Sequence, residues 1–172
     1  MDVFHVARSC TIELVFVDTN VLVYARDSSD ARRQSTAAAW MEELWRSRTG
    51  RVSFQVLQEY YVTVTRKLRP GLPARQAQDD VRALMQWNPV PTNPELMERA
   101  WTIEQKHKLS FWDAMIVAAA VSARATTLLT EDLQDGFEAA GVLVLNPFRN
   151  APPEDRINDR ASAPGRRATR RR

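Results

Sequence analysis

Residues Ile12 to Val17 (IELVFV) most constrain what this chain can become. They hold one charged side chain, Glu13, and no alternation of polar and apolar positions. A strand of this kind, rich in β-branched residues, is apolar on both faces. Both faces must then be covered, as in a parallel sheet with helices packed on it. The run stops at a carboxylate, Asp18, and the chain turns apolar again at Val21. A second segment, LSFWDAMIVAAAVSA, starts a helix at Ser110 that is apolar on every side beyond Asp113, the pattern of a buried helix.

The remaining elements follow from period and punctuation. Val21 to Arg26 predicts a short helix. Asp30 to Arg48 places Ala37, Trp40, Met41, Leu44 and Trp45 at helical spacing, with Gly50 as its stop. RVSFQVLQEYYVTVTRKLRP predicts a short strand, a Ser53 cap and a long helix striped by Leu57, Tyr61, Val64 and Leu68 and ended by Pro70. Ala74 to Trp87 is a further helix. NPVPTNPE is a strand or turn in which Asn93 caps, and Pro94 opens, a helix to about Lys108. TTLLTEDL predicts a short strand with a new helix starting after it, and GVLVLNP a last strand. Strands alternating with helices argue an α/β domain with a parallel sheet. Residues 1–10 read as an N-terminal extension and residues 11–150 as one folded domain. Residues 151–172, without apolar period, read as a disordered Arg-rich tail.

Charge supports this division. The chain of 172 residues carries a net +3, but residues 151–172 hold seven Arg and three acids, so residues 1–150 sum to −1. The single cysteine, Cys10, allows no intramolecular disulfide and fits a reducing compartment. No apolar run reaches the roughly 18 residues of a membrane span, and MDVFHVARSC lacks the pattern of a secretory signal. The expected location is cytoplasmic, with no membrane partner.

Four acids sit where a bland sequence would not put them. Asp18 ends a buried strand, Asp132 follows the strand Leu128–Leu129, Asp113 opens the apolar helix, and Glu59 lies between Leu57 and Tyr60–Tyr61. Each has an ordinary explanation. Asp18 can cap a helix beginning at Thr19. Ser110-x-x-Asp113 matches a capping box, Thr130 can cap the next helix with Asp132 in its first turn, and Glu59 can face water. Together they are less easily dismissed. In open parallel sheets ligands bind beyond the carboxyl ends of strands, and carboxylates gathered there repel one another unless a cation joins them. Oxygen ligands without His or Cys suit Mg2+ or Mn2+ rather than zinc. His5 and His107 have no paired spacing and read as non-ligands. The five glycines form no phosphate-cradling loop, and no G-x-S-x-G is present. A phosphatase with an aspartyl nucleophile would want a second Asp two residues on, where this chain has Asn20.

VDTNVLVYARD, QEYY, SFWDAMIVAAA and LLTEDLQDG, in that order and spacing, resemble the PIN-domain ribonucleases, and among them the VapC toxins of toxin–antitoxin pairs. The resemblance covers about Ile12 to Pro147. It implies a three-layer α/β/α fold with a mostly parallel central sheet, and metal-dependent RNA cleavage. Carried over, Asp18, Glu59, Asp113 and Asp132 are the catalytic acids. Asp18 and Asp113 would hold Mg2+ or Mn2+ directly, Asp132 directly or through water, and Glu59 would hold a second ion or orient a water. Thr19, Asn20 and Thr130 would support them, with Asp135 at most in an outer role. Arg26, Arg32, Arg33, Arg66, Lys67 and Arg69 are candidates to draw in RNA, or plain surface charge. The tail arginines are candidates to add sequence-independent affinity. The five tryptophans read as core or interface rather than base-stacking platforms. The helix with Trp40, Met41, Leu44 and Trp45 is either core or an apolar contact surface. By resemblance the partners are an RNA substrate, a cognate antitoxin protein and a second copy in a homodimer. The alternatives are a PIN nuclease of RNA processing or decay that is not a toxin, and a non-catalytic PIN-like module binding RNA or protein.

Overall fold

A computed structural model describes residues 13–153. The N-terminal extension and nearly all of the Arg-rich tail lie outside the described residues. The sheet contains β1 (Val15–Val17), β2 (Gly50–Arg51), β3 (Thr127–Leu129), β4 (Glu138–Ala139) and β5 (Val142–Leu145), in the order β2-β1-β3-β5-β4. All neighbours are parallel except β4, which pairs antiparallel with β5. The helices are α1 (Thr19–Tyr24), α2 (Ala31–Ser47), α3 (Phe54–Val62), α4 (Ala74–Leu84), α5 (Pro94–His107) and α6 (Phe111–Ser122). This is the mostly parallel α/β architecture expected. Phe16 and Val17 of β1, Leu128 and Leu129 of β3 and Ala114 to Ala120 of α6 are all buried in one core. The all-apolar runs are therefore the pieces that water does not reach.

Helix starts follow local chemistry. Asp30, Ser53, Asn93 and Ser110 each accept a backbone N–H from the third residue into the helix they cap, satisfying donors that no helical carbonyl can reach. Several expectations need correction. Arg48, left-handed at φ 59°, ends α2 rather than Gly50. Gly50 lies in β2, where an added Cβ would come within 2.6 Å of the Trp87 ring. Trp87 is buried and packs against Trp45 at 4.8 Å between ring centroids, so it has little room to retreat. Gly50→Ala is therefore expected to cost about 1–3 kcal/mol, read as a lower urea midpoint. Along α3 the buried residues are Val56, Leu57 and Tyr60, with Tyr61 only half-buried. The helix from Ala74 closes with a 3-10 turn at Met85–Trp87.

No helix follows β3. Residues 131–137 make bends and turns, because the chain must reverse into the β4–β5 hairpin. Gly136, at φ 82°, takes a conformation that other residues rarely adopt. Asp135 fixes the return: its carboxylate accepts the Asn146 N–H at 2.8 Å and the Asn150 amide at 3.1 Å. Among the described residues no helix is long and apolar enough to cross a membrane.

Candidate active site

The strand order reverses between β1 and β3, since β2 lies on one side of β1 and β3 and β5 on the other. That point in a doubly wound sheet leaves a crevice beyond the strand ends. Val17 pairs with Leu129 in register, and the next residues along the two strands are Asp18 and Thr130. The Asp18 N–H donates to Leu129 O at 3.0 Å and the Thr130 N–H to Leu145 O at 3.2 Å. Backbone pairing thus carries both residues to the same edge.

Asp18 is buried and caps α1. One carboxylate oxygen accepts the Thr19 N–H at 2.7 Å, and the other accepts the Thr130 hydroxyl at 2.7 Å. The Asn20 amide nitrogen faces three oxygens: Asp18 at 3.3 Å, Thr130 at 3.0 Å and Asp132 at 2.9 Å. Three acceptors around one nitrogen fix the orientation of that amide. The Thr130 hydroxyl also accepts the Asp132 N–H at 3.1 Å. Glu59 joins from α3. The Thr19 hydroxyl donates to one of its oxygens and Gln55 to the other, both at 3.0 Å. Gln55 was not among the expected site residues, although its spacing four residues before Glu59 on one helix is the signal that places such a pair together.

The electrostatics are one-sided. Burial, with smaller contributions from Asp132 and Glu59, lifts the Asp18 carboxyl from 3.8 to about 6, against the pull of the Thr130 and Thr19 hydrogen bonds. Among the described residues none of the four acids has an ion-pair partner. Asp113, half-buried in the first turn of α6, is bonded to Ser110. The Ser110 hydroxyl donates to its carboxylate at 2.7 Å and accepts its N–H at 3.2 Å. Asp18, Asp132 and Glu59 are thus tied into one network through Asn20, Thr130 and Thr19, while Asp113 is not hydrogen-bonded to it. Asp135, expected at most in an outer role, accepts from the Asn146 N–H and the Asn150 amide.

Three features suit a hard divalent cation. The donors are all oxygen, the carboxylates lack a balancing cation, and the side-chain oxygen of Asn20 is buried with no hydrogen-bond partner. Among the described residues no three His, Cys, Asp or Glu side chains are grouped closely enough to hold a metal ion. His107 contacts Phe137 edge-on at 6.0 Å.

The candidate cations divide. Arg26 pairs with Asp80, which also accepts the Tyr60 hydroxyl at 2.6 Å. Arg33 lies over the Tyr24 and Phe148 rings and pairs with Glu131 at 3.0 Å. Arg69 donates to the carbonyls of Arg66 and Leu68. These three serve the fold. Lys67, like Arg32 and Arg66, is exposed and has no ion-pair partner among the described residues.

The sequence profile described as PIN domain matches residues 15–142. Among solved structures, a toxin–antitoxin complex from Klebsiella pneumoniae is similar at 24% identity over 77% of this chain and 97% of that chain, with a TM-score of 0.55. VapBC2 from Rickettsia felis, bound to a DNA fragment from its promoter, is similar at 16% identity over 76% of this chain and 96% of that chain, with a TM-score of 0.53. At these identities the likeness is one of fold. No curated protein matches the chain.

Proposed function

Because the chain belongs to the PIN-domain family, we propose that it is a metal-dependent ribonuclease, acting as the toxin of a toxin–antitoxin pair. The observation that carries the reading is Asp18: a buried carboxylate at the sheet's reversal point, near Asp132 and Glu59, with no cation beside it. Asp18, Asp113 and Asp132 would hold Mg2+ or Mn2+, with Glu59 serving a second ion or a water. When bound, such an ion supplies Lewis acidity toward a phosphodiester and acidifies water near neutral pH. The chain's own residues do the placing. Thr130 and the Thr19 N–H hold the two oxygens of Asp18. Asn20 spaces Asp132 from Asp18. Gln55 and Thr19 hold Glu59, and Ser110 aims Asp113.

The toxin assignment rests on the four motifs in their order, and a chain of the same fold is found in a toxin–antitoxin complex. A cognate antitoxin, a homodimer and a cytoplasmic location belong to the same reading. The test uses the purified full chain with single-stranded RNA. Cleavage is expected with Mg2+ or Mn2+, abolished by EDTA and restored by added metal. Independently of turnover, Mg2+ at 100 times its Kd should stabilise the fold by about 2.7 kcal/mol, visible as a raised Tm. Cleavage that persists in EDTA, or no cleavage with either ion, would end the assignment. Induced expression that fragments RNA without slowing growth would keep the nuclease and remove the toxin.

A further inference from the structure

Beside the acids runs a groove of about 470 Å3, lined among others by Thr19, Glu59, Val62, Lys67 and Trp112. It is continuous with the site, because Thr19 and Glu59 are hydrogen-bonded to each other and Thr19 follows Asp18. Trp112, expected from the sequence in the core or at an interface, immediately precedes Asp113 and leaves 64% of its surface in water. Its ring does not turn inward: it stands against Phe111, 5.3 Å between centroids at 66°, which props the exposed indole. Lys67, exposed and with no ion-pair partner among the described residues, lines the same groove. An exposed aromatic face and an unmatched cation on one groove fit the two halves of a nucleotide, base on the ring and phosphate at the amine. A base inside a duplex is already stacked and cannot lie on such a wall.

We propose that Trp112 and Lys67 form a nucleotide subsite that takes an unstacked base of single-stranded RNA and its phosphate, feeding the strand to the acids beside it. This rests on the ribonuclease reading. Stacking on an aromatic ring is tolerant of base identity, so the subsite selects single strands over duplexes rather than one sequence over another.

The test measures anisotropy of a short labelled single-stranded oligoribonucleotide of mixed sequence, and of its duplex, on the full chain in EDTA. Steady-state cleavage with Mg2+ is measured beside it. Trp112→Ala is expected to weaken single-strand binding about tenfold, the scale of one lost stacked base, and to raise KM equally while kcat stays within about twofold. Trp112→Phe should restore most of the loss and Trp112→Leu should not. Lys67→Ala should reduce the salt dependence of binding by about one phosphate contact, a log–log slope smaller by about 0.7. Thermal melting checks that these exposed substitutions leave the fold intact. The subsite is overturned if Trp112→Ala binds and cleaves like wild type, if Leu serves as well as Phe, or if duplex binding falls equally. It is also overturned if only the affinity of a co-expressed protein changes. Wild type that binds the oligonucleotide with this Trp112 dependence but cleaves nothing would keep the subsite and end the nuclease reading. Cleavage with an unchanged KM in Trp112→Ala would do the reverse.

Discussion

Asp18→Asn is expected to reduce RNA cleavage by more than about 100-fold, beyond the usual cost of losing a supporting partner, while raising Tm in metal-free buffer. The two effects have one cause. The carboxylate sits where burial, Asp132 and Glu59 all oppose its charge, and its folded-state pKa rises from 3.8 to about 6. Between those values the folded chain holds more protons than the unfolded one, so stability falls as pH rises through the window. At 1.36 kcal/mol per unit, the ionised carboxylate leaves the fold roughly 3 kcal/mol weaker at neutral pH than the protonated one. Below pH 3.8 the difference vanishes; above about 6 it is complete. Asn carries no charge, caps a helix as well as Asp and can still accept from Thr130. Part of the gain is offset because an amide offers one acceptor oxygen where the carboxylate offered two. A net gain of about 1–2 kcal/mol corresponds to about 2–8 °C in Tm for a chain of this size.

Melting curves of wild type and Asp18→Asn from pH 4 to 8 in EDTA test this directly. The curves should nearly meet at the acid end and separate up to about pH 6. Added Mg2+ should close the gap by raising the wild type alone. Asp18→Asn that melts below wild type at pH 7 without metal would mean that the carboxylate is a cap and nothing more. Retained cleavage would carry the same message for the chemistry.

How much of this could be read before the structure depended on how local the cause was. The caps at Ser53, Asn93 and Ser110 were legible, because a side chain reaching three residues along its own chain needs nothing else. The strand ending at Asp18 was legible because its apolar run leaves one way to be buried. The edge shared by Asp18 and Asp132 followed, since parallel strands place their carboxyl ends together. What failed was set by distant partners. Gly50 looks like a helix stop until Trp87 is seen against it. Thr130 looks like a helix cap until its hydroxyl is seen bonded to Asp18. Tyr60 rather than Tyr61 shares the buried face with Val56 and Leu57, and its hydroxyl reaches Asp80, twenty residues on. At the site, the acids could be named from motif order, but the three-way reach of Asn20, the support from Gln55 and the exposure of Trp112 belong to the packed structure alone.

Asp113→Asn separates the one acid that two explanations share. Asp113 and Ser110 satisfy one another reciprocally, and a helix cap explains that geometry without any metal. On the capping account the change is nearly silent. An amide oxygen can still accept from Ser110, and losing one negative charge from a helix start costs about 0.3–1 kcal/mol, with cleavage kept within a few fold. On the ligand account, cleavage falls more than about 100-fold, as for Asp18→Asn, because an amide is a weak substitute for a carboxylate toward a hard cation. The stabilisation seen with Asp18→Asn should be absent, since Asp113 is half-buried where Asp18 is buried. Ser110→Ala completes the comparison: it leaves the carboxylate in place but frees its direction, and should cost about 1 kcal/mol of stability and about 10–100-fold in cleavage. Single-turnover cleavage and thermal melting of the two variants, each with and without Mg2+, read all four quantities. The expected result is lost turnover with an unraised Tm in Asp113→Asn. Full turnover in that variant would return Asp113 to its helix and leave the ion, if one binds, to Asp18, Glu59 and Asp132.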